Sequence, residues 1–85
     1  MTVSETKPSS RMKVAENVRV LRMAMGVSQE ALALKAGFHR TYVSQVEREM
    51  VNLTVDNLDK LARALKVDSA RLLAIPRKKK EKASP

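Results

Sequence analysis

The apolar positions of this chain fall into short helical stripes separated by polar residues. Between residues 12 and 25, Val14, Val18, Leu21 and Met25 recur at steps of four, three and four, the spacing of one helix face. Ser9 or Ser10 supplies an N-cap ahead of this stripe, and Gly26 follows it where a left-handed residue ends a helix. Ser28 then caps a second stripe, Leu32, Ala33 and Ala36, which stops at Gly37. A third pattern runs from about His39 to Arg48 with Val43 and Val46 inward, although His39 is a poor cap by residue type. Thr54 precedes VDNLDKLARALK, whose stripe is Leu58, Leu61, Ala62 and Leu65. In that segment Asp56 with Lys60 and Asp59 with Arg63 stand in the favourable i,i+4 order, worth about 0.2–0.5 kcal/mol each. Asp68 caps a short fifth pattern through Ala70, Leu72 and Leu73, and Pro76 ends it.

Five helices, no strand, and connections of two to six residues predict an all-α, compact five-helix domain. The polar lead MTVSETKPSS, residues 1–10, and the tail RKKKEKASP, residues 77–85, flank a folded part at 11–76. Both flanks lack the apolar residues needed to pack and are expected to be disordered. At 85 residues the chain makes one small domain. Such a domain buries only about 60% of its unfolded surface, so association can supplement its stability.

Charge sharpens the picture. The net charge is +8, of which the tail carries Arg77, Lys78, Lys79, Lys80 and Lys82 against Glu81. Residues 11–76 hold eleven basic and seven acidic side chains, so half the excess sits on the folded part. That balance favours polyanionic partners; the tail either tracks phosphates or is a solvated end. With no cysteine, disulfides and thiolate zinc sites are excluded. A lone His39 builds no metal site, and no cofactor is expected. No apolar run exceeds four residues, which argues against a signal peptide or membrane span and for a cytoplasmic, nucleoid-associated location. No glycine-rich phosphate loop, Ser/His/Asp set or paired carboxylates suggest an enzyme.

The chemistry concentrates in QEALALKAGFHRTYVSQVER, residues 29–48. Ala33 and Ala36 are small where two helices must cross. Gly37 tolerates the positive dihedral of a tight turn, and Phe38 plugs the core beneath it. On the third helix Arg40, Thr41, Tyr42, Ser44 and Gln45 are candidates to read bases. Arg pairs with guanine O6 and N7, Gln with adenine N6 and N7, and Thr and Ser with either partner. The Tyr42 ring faces outward toward a thymine methyl or sugar, or is partly buried against the second helix. Gln29, His39, Arg48 and Asn52 are candidate phosphate ligands; Gln29 and His39 could equally be capping contacts, and Asn52 could simply shape a turn.

The words SQEALALKAGFHRTYVSQVER, NLTVDNLDKLARAL and LKVDSARLL resemble the lambda-repressor/Cro-like (Xre-type) helix-turn-helix family over about residues 12–75. HRTYVSQVERE with VNLTVDNLDKLARAL resembles, more narrowly, the controller proteins of restriction–modification systems. The resemblance implies a lambda-repressor-like DNA-binding domain with its helix-turn-helix at helices two and three. It also implies a homodimer on pseudo-palindromic operators in double-stranded DNA, regulating transcription by occluding or contacting RNA polymerase. Related domains carry an Arg–Glu bridge at positions matching Arg22 and Glu47, each at the edge of an apolar stripe here, so a partly buried pair is expected. Val67, Leu72, Leu73 and Ile75 exceed what one small core needs and are expected to form a two-fold dimer interface. Many relatives place Gly or Asn after the Glu-Arg pair, where this chain has Glu49. A left-handed Glu is less comfortable and sets negative charge near the DNA backbone. An antitoxin or coactivator-like protein-interaction module remains the alternative reading.

Overall fold

In the computed structural model, which describes residues 9–76, the chain forms α1 (Ser10–Met25), α2 (Gln29–Lys35), α3 (Tyr42–Glu47), α4 (Val55–Leu65) and α5 (Ser69–Leu72). The basic tail and most of the polar lead lie outside the described residues. Side-chain oxygens start three of the helices. Ser9 Oγ accepts from the Met12 amide, Ser28 Oγ from Ala31 and Thr54 Oγ1 from Asn57, each at 3.0 Å. Each such cap is worth about 1 kcal/mol.

The first four helices end in one way. Gly26, Gly37, Glu49 and Lys66 have φ of 73, 87, 60 and 63°. The next residue of each reaches back five positions: Val27 to Arg22 O, Phe38 to Ala33 O, Met50 to Gln45 O and Val67 to Ala62 O. This is the Schellman closure. Glycine adopts it freely at two of the four ends. At Glu49 and Lys66 the left-handed backbone costs about 1–2 kcal/mol, so the surrounding packing must hold it.

The core gathers Val14 and Val18 of α1, Leu32 and Ala33 of α2, Val43 and Val46 of α3, Leu58, Leu61, Ala62, Ala64 and Leu65 of α4, and Leu72 of α5. α1 packs on α3, α4 and α5, while α2 packs on α3 and α4. The α1 stripe ends at Leu21: Met25 is exposed, because the helix runs on past the core.

Five sequence expectations are corrected. α3 begins at Tyr42 rather than His39 and has six residues. α5 stops at Leu72, four residues before Pro76, and Asp68 makes no side-chain cap bond. The pairs Asp56–Lys60 and Asp59–Arg63 do not close; the ion pairs among the described residues are Arg19–Glu16 and Arg22–Glu47. Asp59 instead accepts from the Ser69 hydroxyl, tying α4 to α5. Leu72 is fully buried and belongs to the monomer core, not to an external face.

Asn17 is a buried polar residue that the sequence pattern passes over. It is 3% exposed, and its amide donates to Leu72 O at 2.9 Å and Ala74 O at 2.8 Å. The unpaired carbonyls at the end of α5 are thus satisfied from α1. The signal lay in register: Asn17 stands three residues after Val14 and one before Val18, a polar side chain on an apolar face.

Candidate nucleic-acid interface

Ala33 is fully buried and Ala36 half-buried where α2 meets α3, so the two helices approach closely. Gly37 makes the turn, and half-buried Phe38 packs against the core beneath it. The angle is then braced by polar bonds. Arg22 Nε donates to Glu47 Oε2 at 2.7 Å and Arg22 Nη2 to Glu47 Oε1 at 3.1 Å, a two-point pair. The side chains are 13% and 4% exposed, which puts this pair among the desolvated ones. Gln29 Nε2 donates to the same Glu47 Oε1 at 2.9 Å, and Arg22 Nη1 donates to Val27 O at 3.0 Å. One carboxylate therefore ties together α1, the start of α2 and the end of α3.

The late start of α3 has a local cause. His39 Nδ1 accepts the Thr41 amide at 3.2 Å and lies 3.0 Å from Thr41 Oγ1. Tyr42 N donates to His39 O at 2.9 Å. These bonds fold residues 39–41 into a turn that leads into the helix, whose N-cap, Thr41, makes no side-chain cap bond. Arg40 and Thr41 are consequently carried on the turn that leads into α3, both exposed. Thr41, Ser44, Gln45 and Arg48 recur at three- and four-residue steps and share the side of α3 opposite buried Val43 and Val46. Ser44 and Gln45 are half-buried and Arg48 is exposed, and Ser44 Oγ donates to Thr41 O at 2.8 Å. The helix spans about 9 Å, so the preceding turn must share the reading surface with it.

Tyr42 departs from its outward assignment. Its ring stacks on Phe38, with centroids 4.2 Å apart at 25°, and its hydroxyl accepts from Asn57 Nδ2 of α4 at 3.2 Å. It is half-buried at the edge of the reading face. Three of the four candidate phosphate ligands are engaged within the protein. Gln29 serves the Glu47 brace, and Asn52 Oδ1 accepts from Arg11 Nη2, linking the loop after α3 to the start of α1. His39 holds the turn before α3 through Thr41, while Arg48 stays exposed. Glu49 is exposed in its left-handed conformation beside Arg48.

The four residues expected at a dimer interface do not form one patch. Leu72 is buried, and Val67 packs against the core at the α4–α5 turn. Leu73 and Ile75 are exposed. Leu73 lines an apolar groove of about 360 Å³ with Val14, Leu53, Val55 and Leu58. Among the described residues no helix is long and apolar enough to cross a membrane, and no group of three or more His, Cys, Asp or Glu could hold a metal ion.

Two helices crossed over small residues, with the second presenting short polar side chains and flanking arginines outward, define a helix-turn-helix domain. The helix-turn-helix family model matches residues 18–72. The chain belongs to this Xre-type family. It is similar to a hypothetical transcription factor of Neisseria meningitidis serogroup B, with 44% identity over 69 residues; the match covers 81% of this chain and 65% of the relative. The crystal structure of the Neisseria factor superposes with a TM-score of 0.78, covering 80% of this chain and 78% of that one. The control protein C.SmaI of Serratia marcescens is 47% identical over 60 residues, 71% of each chain. The restriction–modification controller protein C.Esp1396I, solved as a tetramer in complex with its natural 35 base-pair operator, is 32% identical with a TM-score of 0.69, covering 78% of this chain and 87% of that one.

Proposed function

We propose that the protein is a sequence-specific, non-enzymatic regulator of transcription that binds double-stranded DNA as a homodimer on pseudo-palindromic operators, in the manner of restriction–modification controller proteins. The observation that carries this reading is the braced α3: Glu47 locks the helix from behind while Arg40, Thr41, Ser44, Gln45 and Arg48 stay on the outward side. A reading surface needs that rigidity, because base discrimination depends on side chains held in register with the groove. The basic excess of the folded part supports attraction to phosphates. The operator complex of C.Esp1396I supports the choice of duplex DNA.

So short a helix reads only a few bases. A two-fold pair of subunits reading half-sites about 34 Å apart supplies the missing length. Leu73, at the mouth of the apolar groove, and Ile75 are the residues we assign to that contact, and Leu72 is withdrawn from it. Regulation follows from occluding RNA polymerase or touching it, and the protein acts at the nucleoid.

Replacing Arg40 with alanine is expected to relax discrimination at one base position in each half-site, by about 1–3 kcal/mol. Fluorescence anisotropy on a selected site and on its single-base variants measures this. An unchanged ratio between preferred and substituted sites would remove Arg40 from base reading.

A further inference from the structure

Two of the four left-handed helix ends carry a charged residue instead of glycine, and the two differ in sign. At Lys66, φ 63°, the strain of that conformation is offset, because a lysine stands at the C-terminal end of α4, where the free carbonyls hold partial negative charge. Glu49, φ 60°, has no such offset. It follows the end of α3, so an acid meets the same kind of partial negative charge and is repelled by it. Glycine fills the corresponding places at Gly26 and Gly37 without either cost. The ion pairs among the described residues are Arg19–Glu16 and Arg22–Glu47, and the exposed Glu49 takes part in neither. A strained acid with two local costs and no compensating ion pair points to a role outside the domain itself.

The position of Glu49 in the chain indicates that role. A recognition helix aims its N-terminal residues at base edges, so the chain leaves the groove beyond the other end, past the phosphates of the groove wall. Arg48 and Glu49, both exposed, are the first residues past α3. An arginine there attracts the backbone and a glutamate repels it. Resting on the DNA-binding reading above, we infer that Glu49 is an affinity-limiting residue, whose carboxylate repels the DNA backbone at the exit of α3 and lowers binding to duplexes of any sequence. The charge of the chain gives this a purpose. Its net charge is +8, with eleven basic side chains between residues 11 and 76, and attraction to phosphates is blind to sequence. One acid beside each reading helix, present twice in a dimer, subtracts from that attraction and leaves the base contacts alone. Non-operator sites greatly outnumber operators, so a weaker hold on the backbone keeps more of the protein free to find its own sites.

The test compares the full chain with Glu49→Gln and Glu49→Gly at several salt concentrations. The probes are a DNA site chosen by in-vitro selection with the wild-type protein and a random-sequence duplex of equal length. Glu49→Gln keeps the side-chain length and the left-handed backbone but removes the charge. It should bind both duplexes about fivefold more tightly at low salt, the effect of two exposed charges per dimer. That gain should shrink as salt rises, and the ratio of selected-site to random-site affinity should stay as in wild type. Glu49→Gly should show a similar gain on DNA and melt at a higher temperature than wild type, because glycine relieves the backbone. Glu49→Gln affinity equal to wild type on both duplexes overturns the inference. A loss on the selected site alone also overturns it, since Glu49 would then be accepting from a base, and so does a gain that ignores salt. A Glu49→Gly protein that melts no higher than wild type overturns the local cost on which the inference stands. Those outcomes leave the DNA-binding reading intact, whereas a wild-type protein that selects no sequence overturns both.

Discussion

Replacing Glu47 with alanine is expected to lower the stability of the domain by about 3–5 kcal/mol, the cost of leaving a buried partner uncompensated. Arg22 would keep only its bond to Val27 O, and Gln29 would lose its acceptor. A domain of this size has little stability to spare. Thermal unfolding followed by circular dichroism should fall by more than about 12 °C. Replacing both partners, as Arg22→Met with Glu47→Leu, should restore much of the loss, because an apolar pair removes the stranded charge. DNA affinity should not recover with it if the Gln29–Glu47–Arg22 bonds set the pose of α3. A loss below about 1 kcal/mol for Glu47→Ala would put the pair with ordinary surface bridges and remove the brace from the account.

Leu72 and Leu73 are expected to behave oppositely although they are neighbours. Leu72 is fully enclosed, so Leu72→Ala should cost about 2–5 kcal/mol through lost contacts and the cavity left behind. Leu73 is 38% exposed at the mouth of the apolar groove, so Leu73→Lys should keep the helical signal. Under the proposed dimer it should sediment as a monomer. Circular dichroism and sedimentation velocity on the two variants separate core from interface. A stable, fully helical Leu72→Ala protein would contradict the packing of α5, and a dimeric Leu73→Lys protein would move the interface elsewhere.

The adjacent leucines also mark where sequence pattern loses its grip. In α1 and α4 the stripe repeats over several turns and phases itself. α5 has four residues, so no second turn exists to say which leucine faces in. What decides it is Asn17, fifty-five positions away, whose amide fastens the Leu72 carbonyl. Helix starts were legible wherever a Ser or Thr oxygen makes the cap, at Ser9, Ser28 and Thr54. The start of α3 was not, because its N-cap, Thr41, makes no side-chain cap bond and His39 instead holds the turn before it through the Thr41 amide. Helix ends at Gly26 and Gly37 announced themselves. The left-handed Lys66 carries no such mark, and Glu49 stands where only comparison with relatives suggests a turn.

At the candidate site, spacing alone was enough to name the outward residues of α3, since Val43 and Val46 fix its inward side. Spacing misled at Tyr42, whose surroundings are built by Phe38 and by Asn57 of a later helix. Gln29 was similarly drawn away from the surface by Glu47. In each case the polar side chain found a partner remote in sequence, and tertiary satisfaction of hydrogen bonds overrode the local reading. The Arg22–Glu47 pair, by contrast, stood at the two stripe edges that face each other once α1 and α3 pack.

The central claim is that two copies of α3, each with the turn before it, read a two-fold symmetric DNA sequence. In-vitro selection of bound duplexes from a random pool, using the full chain at near-physiological salt, tests it most directly. The account predicts an inverted repeat whose half-sites are about one helical turn apart and whose affinity falls by about 1–3 kcal/mol for a mismatch in either half. Recovery of unrelated sequences, bound with the same affinity as the starting pool, would contradict it.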